Sequence, residues 1–197
     1  MPYDEDGPVA RWRVSEGYGA ERRGKYDVQF SERFSRRCFD PNEYLLRVLY
    51  YDAPQYEGVV QLPVSGKNKM FKSKDTLLDD LAKLERFACR KGSLGFRGWK
   101  PRSIPIAGGS PLTDSDFQPV FEQKGVDMRV GLDIAEFADR RSVDRIILVT
   151  GDTDMIPAMK HARKAGVEVV IAQLPAPARR IHDDLLRHAD LVRAVAL

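Results

Sequence analysis

The sequence has few of the residues that mark disulfide-rich, metal-clustered or membrane-spanning proteins. Its 197 residues include two cysteines and three histidines, and none of them shows the spacing of a disulfide framework or a Cys/His metal site. No stretch approaches the ~20 consecutive apolar residues of a membrane-spanning helix, and the N-terminal segment lacks the apolar core of a signal peptide. We therefore expect a soluble protein of the reducing cytoplasm, without a membrane partner.

An excess of charge of one sign is also missing. The chain has 32 lysines and arginines against 29 aspartates and glutamates, for a net charge of +3. A global field this small does not hold a nucleic acid, so such a partner would need a local basic surface. The apolar fraction of 43% is that of an ordinary globular protein, and the length allows one substantial core. We expect a single domain over residues 1–197.

The apolar pattern of the first half predicts helices and strands. Residues 1–26 are polar and glycine-rich, and only VARWRV at 9–14 could form a strand there. Cys38 and Cys89 lie on apolar faces of the predicted helices, so we expect both to pack in the core. The elements predicted after residue 26 are a helix at 27–38, a strand at 44–52, a loop or hairpin at 53–74, a helix at 75–90, and a short strand at 94–100 followed by a loop.

The second half has the clearest pattern. A helix is predicted at 124–142, and then RIILVT, MIPAMKHARKAG and VEVVIAQL follow over 145–174 as strand, helix and strand. These strands are continuous apolar runs, as in a parallel sheet that is covered on both faces. For the residues from 179 to the end we expect one short helix, with room for an edge strand. In the helix at 124–142, the residues that can face the core are Met128, Leu132, Ala135 and Phe137 or Ala138.

Carboxylates collect around the predicted strand at 145–150. Asp152 and Asp154 follow this strand, and Asp127 and Asp133 lie near the start of the preceding helix. Ligands of open parallel sheets bind outside the carboxyl ends of the strands, although on an ideal helix Asp127 and Asp133 differ in direction by about 120°. Clustered carboxylates raise each other's pKa unless a cation compensates them, and Mg²⁺ or Mn²⁺ would suit oxygen ligands. Alternatively, Asp152 or Asp154 simply caps the helix at 155–165.

Two motifs of the second half carry a family resemblance. They are KGVDMRVGLD at 124–133 and DRIILVTGDTDMIPAMKHARKAGVEVVI at 144–171, and YYDAPQYEG and GFRGWKP accompany them. Together they resemble the NYN domain family, in the LabA-like branch of the PIN-like ribonuclease superfamily, over most of residues 27–195. The resemblance implies a Rossmann-like three-layer α/β/α sandwich with a central, mostly parallel sheet. It also implies, for the active bacterial proteins of this group, hydrolysis of RNA at aspartates that bind Mg²⁺ or Mn²⁺. The positions that match the catalytic carboxylates are Asp127, Asp133, Asp152 and Asp154, of which Asp127, Asp152 and Asp154 match metal ligands.

The start of the chain departs from this family's pattern. The family opens with an apolar strand that ends in an aspartate, a principal metal ligand, whereas VARWRVSEGYG has Ser15 and Glu16 at that place. Three explanations stay open: Glu16 is a shifted ligand, catalysis is weakened or lost, or the true first strand is missing. Residues 1–26 would then be disordered or a degenerate first strand. The leading hypothesis is a metal-dependent ribonuclease. The alternatives are a catalytically weakened RNA-binding or regulatory module and, more distantly, a phosphatase of the haloacid dehalogenase type.

Cations and aromatic side chains alternate in the middle of the chain. Such a pattern suits RNA, because cations bind phosphates and aromatic rings stack on bases. The alternative is a solvated hairpin with Trp99 in the core. Surface or cap roles are favoured for the histidines, and a homo-oligomer stays open. The candidate RNA-binding residues are Lys67, Lys69, Lys72, Arg97, Lys100 and Arg102.

Overall fold

The structure is a computed structural model that describes residues 27–73, 76–105, 111–174 and 181–196. The segment 1–26, which includes the predicted ligand Glu16, lies outside the described residues. The helices in the described ranges are α1 (Val28–Arg37), α2 (Leu77–Leu81), α3 (Val126–Asp139), α4 (Ile156–Lys164) and α5 (Asp183–Leu186), with short 3₁₀ helices at Asp114–Asp116 and Thr153–Met155. The strands are β1 (Val48–Asp52), β2 (Gly58–Gln61), β3 (Asn68–Phe71), β4 (Phe87–Lys91), β5 (Ser93–Pro101), β6 (Phe117–Lys124), β7 (Arg145–Leu148), β8 (Glu168–Gln173) and β9 (Leu191–Ala194).

The described strands pair into four small sheets. β1 pairs in parallel with β4, and β8 lies between β7 and β9 in a parallel sheet. β2 and β3 form an antiparallel hairpin, and β5 and β6 form a second antiparallel pair. The predicted mixed α/β class is therefore confirmed, whereas the described strands do not join into one central sheet. None of the helices in the described ranges has the length and apolarity needed to cross a membrane.

The most deeply buried strand is β8. Val169 and Ile171 belong to an apolar cluster with Met159 of α4, whereas Ala172 belongs to a second cluster with Phe34 of α1. Alternate residues of a strand point to opposite faces, so this sheet is covered on both sides. The continuous apolar run VEVVIAQL is explained by this double burial. The βαβ unit predicted from the second half is thereby confirmed.

Helix α3 buries a different face from the one that the sequence predicts. Met128 and Leu132 are 68% and 61% exposed, whereas Ile134 and Ala138 are buried. The sequence offers two apolar stripes on this helix, and the pattern alone does not choose between them. The start of the helix fixes the choice, because Val126 packs against Gly92: a Cβ atom at Gly92 would come within 2.6 Å of Val126 Cγ2. The prediction that Met128 and Leu132 face the core is therefore wrong.

The predicted helix at 75–90 is also much shorter in the structure. It ends at Leu81, and Phe87–Lys91 is strand β4 instead. Phe87 and Cys89 of this strand pack next to a cluster formed by Tyr50, Leu78 and Leu81. A short apolar run fits either a helix or a strand, and pairing with β1 decides the outcome. β6 was likewise not predicted, because its first residues fall in a stretch that the sequence indicates as a loop.

The other predictions for the first half agree better. The helix at 27–38 corresponds to α1, whose N-cap Asp27 accepts a hydrogen bond from the Phe30 backbone N–H at 2.7 Å. The predicted loop or hairpin contains β2 and β3. Cys38 follows α1 and is buried, as expected, and burial raises the pKa of its thiol to about 12.

Substitution of two methionines tests these faces. Met159 is fully buried, and Met159→Ala should lower the free energy of unfolding by about 2–5 kcal/mol because it leaves a cavity in the core. Met128→Ala removes the same side chain from an exposed position and should change it by less than about 0.5 kcal/mol. Urea denaturation measures both values. Similar losses in the two variants would contradict the observed orientation of α3.

Candidate functional site

A cavity of about 230 Å³ lies between the two parallel sheets. One wall comes from β1 and the other from β7, and helices α1 and α3 contribute the rest. Three consecutive residues of β7, Ile146, Ile147 and Leu148, all border the cavity. Successive side chains of a strand point to opposite faces, so a cavity on one face would not contact all three residues. The cavity therefore lies along the edge of β7. Among the described strands, neither β1 nor β7 has a partner on this side.

Three of the four aspartates predicted from the sequence line this cavity, and one does not. Asp127 and Asp133 of α3 and Asp152 after β7 line it. Asp127 and Asp133 therefore border the same space even though they leave the helix in different directions. Asp154, which the structure also describes, is exposed and lies outside this lining. The structure thus brings three of the predicted carboxylates to one cavity and leaves the fourth beside it.

Asp152 also caps the 3₁₀ helix that follows it. Its Oδ1 atom accepts a hydrogen bond from the Asp154 backbone N–H at 3.0 Å, and its own N–H donates to Thr150 Oγ1 at 3.1 Å. The sequence places this cap on the helix at 155–165, whereas Asp152 caps the 3₁₀ helix before it and the N-cap of α4 is Met155. This capping role does not compete with a role in the cavity, because the cap fixes the direction of the carboxylate at the cavity wall.

Asp133 is held by two side chains that the sequence did not connect with it. The Tyr51 hydroxyl donates to Asp133 Oδ2 at 2.7 Å, and Arg90 Nε donates to the same oxygen at 3.0 Å. Tyr51 and Arg90 are direct partners in the β1–β4 register, so their side chains leave the same face of this sheet. A strand at Phe87–Lys91 is the signal that could have found this pair, because its register with β1 places Tyr51 beside Arg90.

Neighbouring Asp52 has a structural role. It is 4% exposed, and its Oδ1 atom accepts hydrogen bonds from the Ala53 backbone N–H at 2.7 Å and from Gln123 Nε2 at 3.3 Å. These bonds connect the end of β1 with β6. Asp52 therefore holds the end of β1 to β6, the strand that leads into α3, while Tyr51, one residue earlier, faces the cavity.

The described residues do not form a complete carboxylate cage for a metal. No group of three or more His, Cys, Asp or Glu side chains within these ranges is placed so that it could hold a metal ion. The three aspartates therefore share a cavity without converging on one point. His161 pairs instead with Asp139 at 2.7 Å, and His182 caps α5, as a surface or cap role predicts.

The candidate RNA-binding cations are partly engaged within the protein. Lys69 Nζ lies 5.1 Å from the ring centre of Phe71 and 5.6 Å from that of Trp99. Trp99 Nε1 donates to the Gln61 carbonyl at 2.8 Å, so this tryptophan joins β5 to the hairpin. Arg97 pairs with Glu122. The side chains of the other four candidates are exposed, although exposed cations also make contacts, and Arg102 Nε donates to the Ser115 carbonyl. These four are Lys67, Lys72, Lys100 and Arg102.

Stability at alkaline pH should depend on Tyr51. Burial, and then the hydrogen bond to Asp133, raise the pKa of its phenol far above the usual 10.0. Above about pH 10 the unfolded chain releases this proton and the folded protein keeps it. The free energy of unfolding therefore falls as pH rises, by up to about 1.4 kcal/mol per pH unit for one such group.

Tyr51→Phe removes this contribution, so the variant should lose stability less steeply than the wild type above about pH 10. Tyr44→Phe is the matched control, because the Tyr44 side chain is 80% exposed, and it should keep the wild-type slope. Urea midpoints measured at several alkaline pH values give the slopes. Identical slopes for the wild type and Tyr51→Phe would show that the phenol does not behave as a buried group.

Comparison with known proteins identifies the family of the chain. The sequence model of the NYN domain matches residues 84–194, more than half of the chain, including all of α3, β7 and the four aspartates. Neither a curated protein nor a solved structure matches the chain significantly. The NYN domain has a PIN-like nuclease fold, and its match begins just before β4, the strand that carries Arg90. The chain therefore belongs to the NYN domain family.

Proposed function

We propose that the protein is a metal-dependent ribonuclease that hydrolyses RNA phosphodiester bonds at the cavity between β1 and β7. One observation carries this proposal: Asp127, Asp133 and Asp152, to which the family resemblance assigns catalytic roles, all line this cavity. Asp154, two residues beyond Asp152, is the fourth candidate and would act from the cavity rim. The PIN-like nuclease fold of the family supports a nucleic acid as the substrate.

We propose Mg²⁺ or Mn²⁺ as the cofactor. Mg²⁺ is commonly held by only one or two carboxylates, and water and substrate phosphate oxygens complete its shell. Asp127 and Asp152 supply donors of this kind, and Asp154 and Glu16 are further candidate ligands, Glu16 from outside the described residues. When bound, such an ion activates a water molecule and stabilises charge on phosphoryl oxygens.

The residues of the chain would hold these carboxylates in place. Asp152 is oriented by the N–H of Asp154, and Asp133 is oriented by Tyr51 and Arg90. The other cavity walls are largely apolar and include Val130, Ile134 and Ile147. Apolar walls lower the local dielectric constant, which strengthens the attraction between the carboxylates and a cation.

We also propose a finer description of the fold. In this proposal the β1–β4 pair and the β7–β8–β9 sheet belong to one layer of a LabA-like, three-layer α/β/α sandwich. The double burial of β8 supports the proposal, and so does the position of the cavity between the two parallel sheets. A cytoplasmic location and a homo-oligomer stay predictions.

Asp152→Asn tests the ribonuclease proposal. We expect the wild type to cleave RNA with Mn²⁺ or Mg²⁺ and the variant to lose about 10²-fold or more of this activity, because the amide removes a charge from the site. Asp144→Asn is the matched control, since it changes an exposed aspartate at the other end of β7 and should leave activity unchanged. Gel assays of a labelled RNA measure the rates. Equal activity in EDTA would contradict metal dependence.

A second candidate function is an RNA-binding or regulatory module with weakened catalysis. The observation in its favour is that no three-carboxylate group forms among the described residues. Calorimetry separates the two candidates, because a binding module should take up RNA and little Mn²⁺. Tight, stoichiometric Mn²⁺ binding would reject this second candidate.

RNA binding should depend on the lysines of the hairpin region. Lys67→Gln with Lys72→Gln should weaken the affinity for single-stranded RNA, and its dependence on log salt should become less steep by about 1.4, or about 0.7 for each phosphate that is no longer neutralised. Lys160→Gln with Lys164→Gln, which removes two exposed lysines of α4, is the control and should change neither quantity. Fluorescence anisotropy over a range of salt concentrations gives both values. Equal effects of the two double variants would exclude a local RNA-binding role for the hairpin.

A further inference from the structure

Arg90 is a cation tied directly to the wall of the candidate site. It lies on β4, and its Nε atom donates to Asp133 Oδ2 at 3.0 Å. Its side chain is 41% exposed, whereas that of Asp133 is 16% exposed. The guanidinium therefore has one end on a mostly buried carboxylate and another part open to solvent.

The guanidinium has donors to spare. An arginine side chain carries five N–H donors in a rigid, planar arrangement. Within the part of the chain that the structure describes, the guanidinium of Arg90 makes a hydrogen bond only through Nε. The N–H groups of Nη1 and Nη2 are therefore available to a further acceptor. The pairing with Asp133 raises the pKa of Arg90, so it stays charged.

Two neighbours fix the position of this cation. Asp133 Oδ2 accepts from both Tyr51 and Arg90, and the β1–β4 register sets Tyr51 directly beside Arg90. Asp133 is in turn anchored on α3, where the next residue, Ile134, is buried in the core. A cation held in this way loses less conformational entropy when it binds an anion than a mobile surface lysine does.

We propose that Arg90 binds a backbone phosphate of the RNA beside the aspartates, and that Tyr51 and Asp133 are positioning residues for it. The proposal rests on the proposed ribonuclease function. A cavity lined by carboxylates repels a phosphate group, and an arginine fixed on Asp133 offsets part of this repulsion. The planar fork of arginine also matches two phosphate oxygens at once. In this assignment Asp133 acts through Arg90, while Asp127 and Asp152 remain the carboxylates that face the reaction.

RNA binding measured in EDTA, where cleavage is not expected, tests the assignment. Arg90→Gln should weaken binding of single-stranded RNA about tenfold or more, the effect of losing hydrogen bonds to a charged group. The slope of log affinity against log salt should also fall by about 0.7. Arg140→Gln is the matched control, because Arg140 is an exposed arginine near the end of α3 that pairs with Glu136 at 3.0 Å. It has the same change of charge and should bind RNA like the wild type.

Two further variants separate phosphate binding from a purely structural role. Arg90→Lys keeps the charge beside Asp133 but lacks the planar fork, so we expect it to stay folded and to bind RNA with intermediate affinity. Tyr51→Phe keeps all charges and should weaken RNA binding only a few-fold, with the wild-type salt slope. Binding by Arg90→Gln or Arg90→Lys as tight as that of Arg140→Gln would overturn the assignment.

Cleavage by the wild type distinguishes this assignment from the proposal on which it rests. If the wild type cleaves RNA with Mn²⁺ and the Arg90 variants bind RNA normally, the assignment fails and the ribonuclease proposal stands. If the wild type binds RNA without cleaving it and only the Arg90 variants lose affinity, the ribonuclease proposal fails. Arg90 is then confirmed as a phosphate-binding residue of a binding module.

Discussion

Burial of β8 on both faces is the constraint on which the rest of the structure depends. Val169 and Ile171 pack into one apolar cluster and Ala172 into another, so helices are needed on both sides of this sheet. Ile134 of α3 belongs to the first cluster, and its burial, together with the packing of Val126 at the start of the helix, sets the rotation of α3. Asp127 lies two turns before Ile134, on nearly the same side of the helix. The same packing that buries Ile134 therefore turns Asp127 toward the cavity.

The fold of the second half could be predicted from the sequence because its signals are local. The two strands at 145–174 are continuous apolar runs, the helix between them alternates apolar and polar residues with helical spacing, and Gly166, with φ of +88°, ends that helix. The stretch at 75–90 could not be resolved in this way. Leu84 and Phe87 have helical spacing, but Phe87 belongs to a strand whose partner, β1, lies far away in the sequence. Long-range pairing of this kind leaves no local pattern.

In the candidate site, too, the features with a local signal could be predicted and the long-range contacts could not. The rule that ligands gather at the carboxyl ends of parallel strands was enough to place Asp152 near Asp127. It could not predict Tyr51 and Arg90, because their contact with Asp133 requires the register of β1 against β4. Nor could it predict that Arg97 pairs with Glu122 or that Trp99 joins β5 to the hairpin. Residue types alone do not show which cations are already paired.

Helix α3 joins the two parallel sheets through adjacent residues. Asp133 accepts hydrogen bonds from Tyr51 and Arg90 of one sheet, and Ile134 packs into the apolar cluster of the other. The described strands of the two sheets share no backbone hydrogen bonds across the cavity. Part of the coupling between the two sheets in unfolding therefore passes through this helix, which also carries two of the candidate site carboxylates, and α1 supplies a second link because it packs on both sheets. A change that loosens the site at α3 will also let the two sheets unfold more independently.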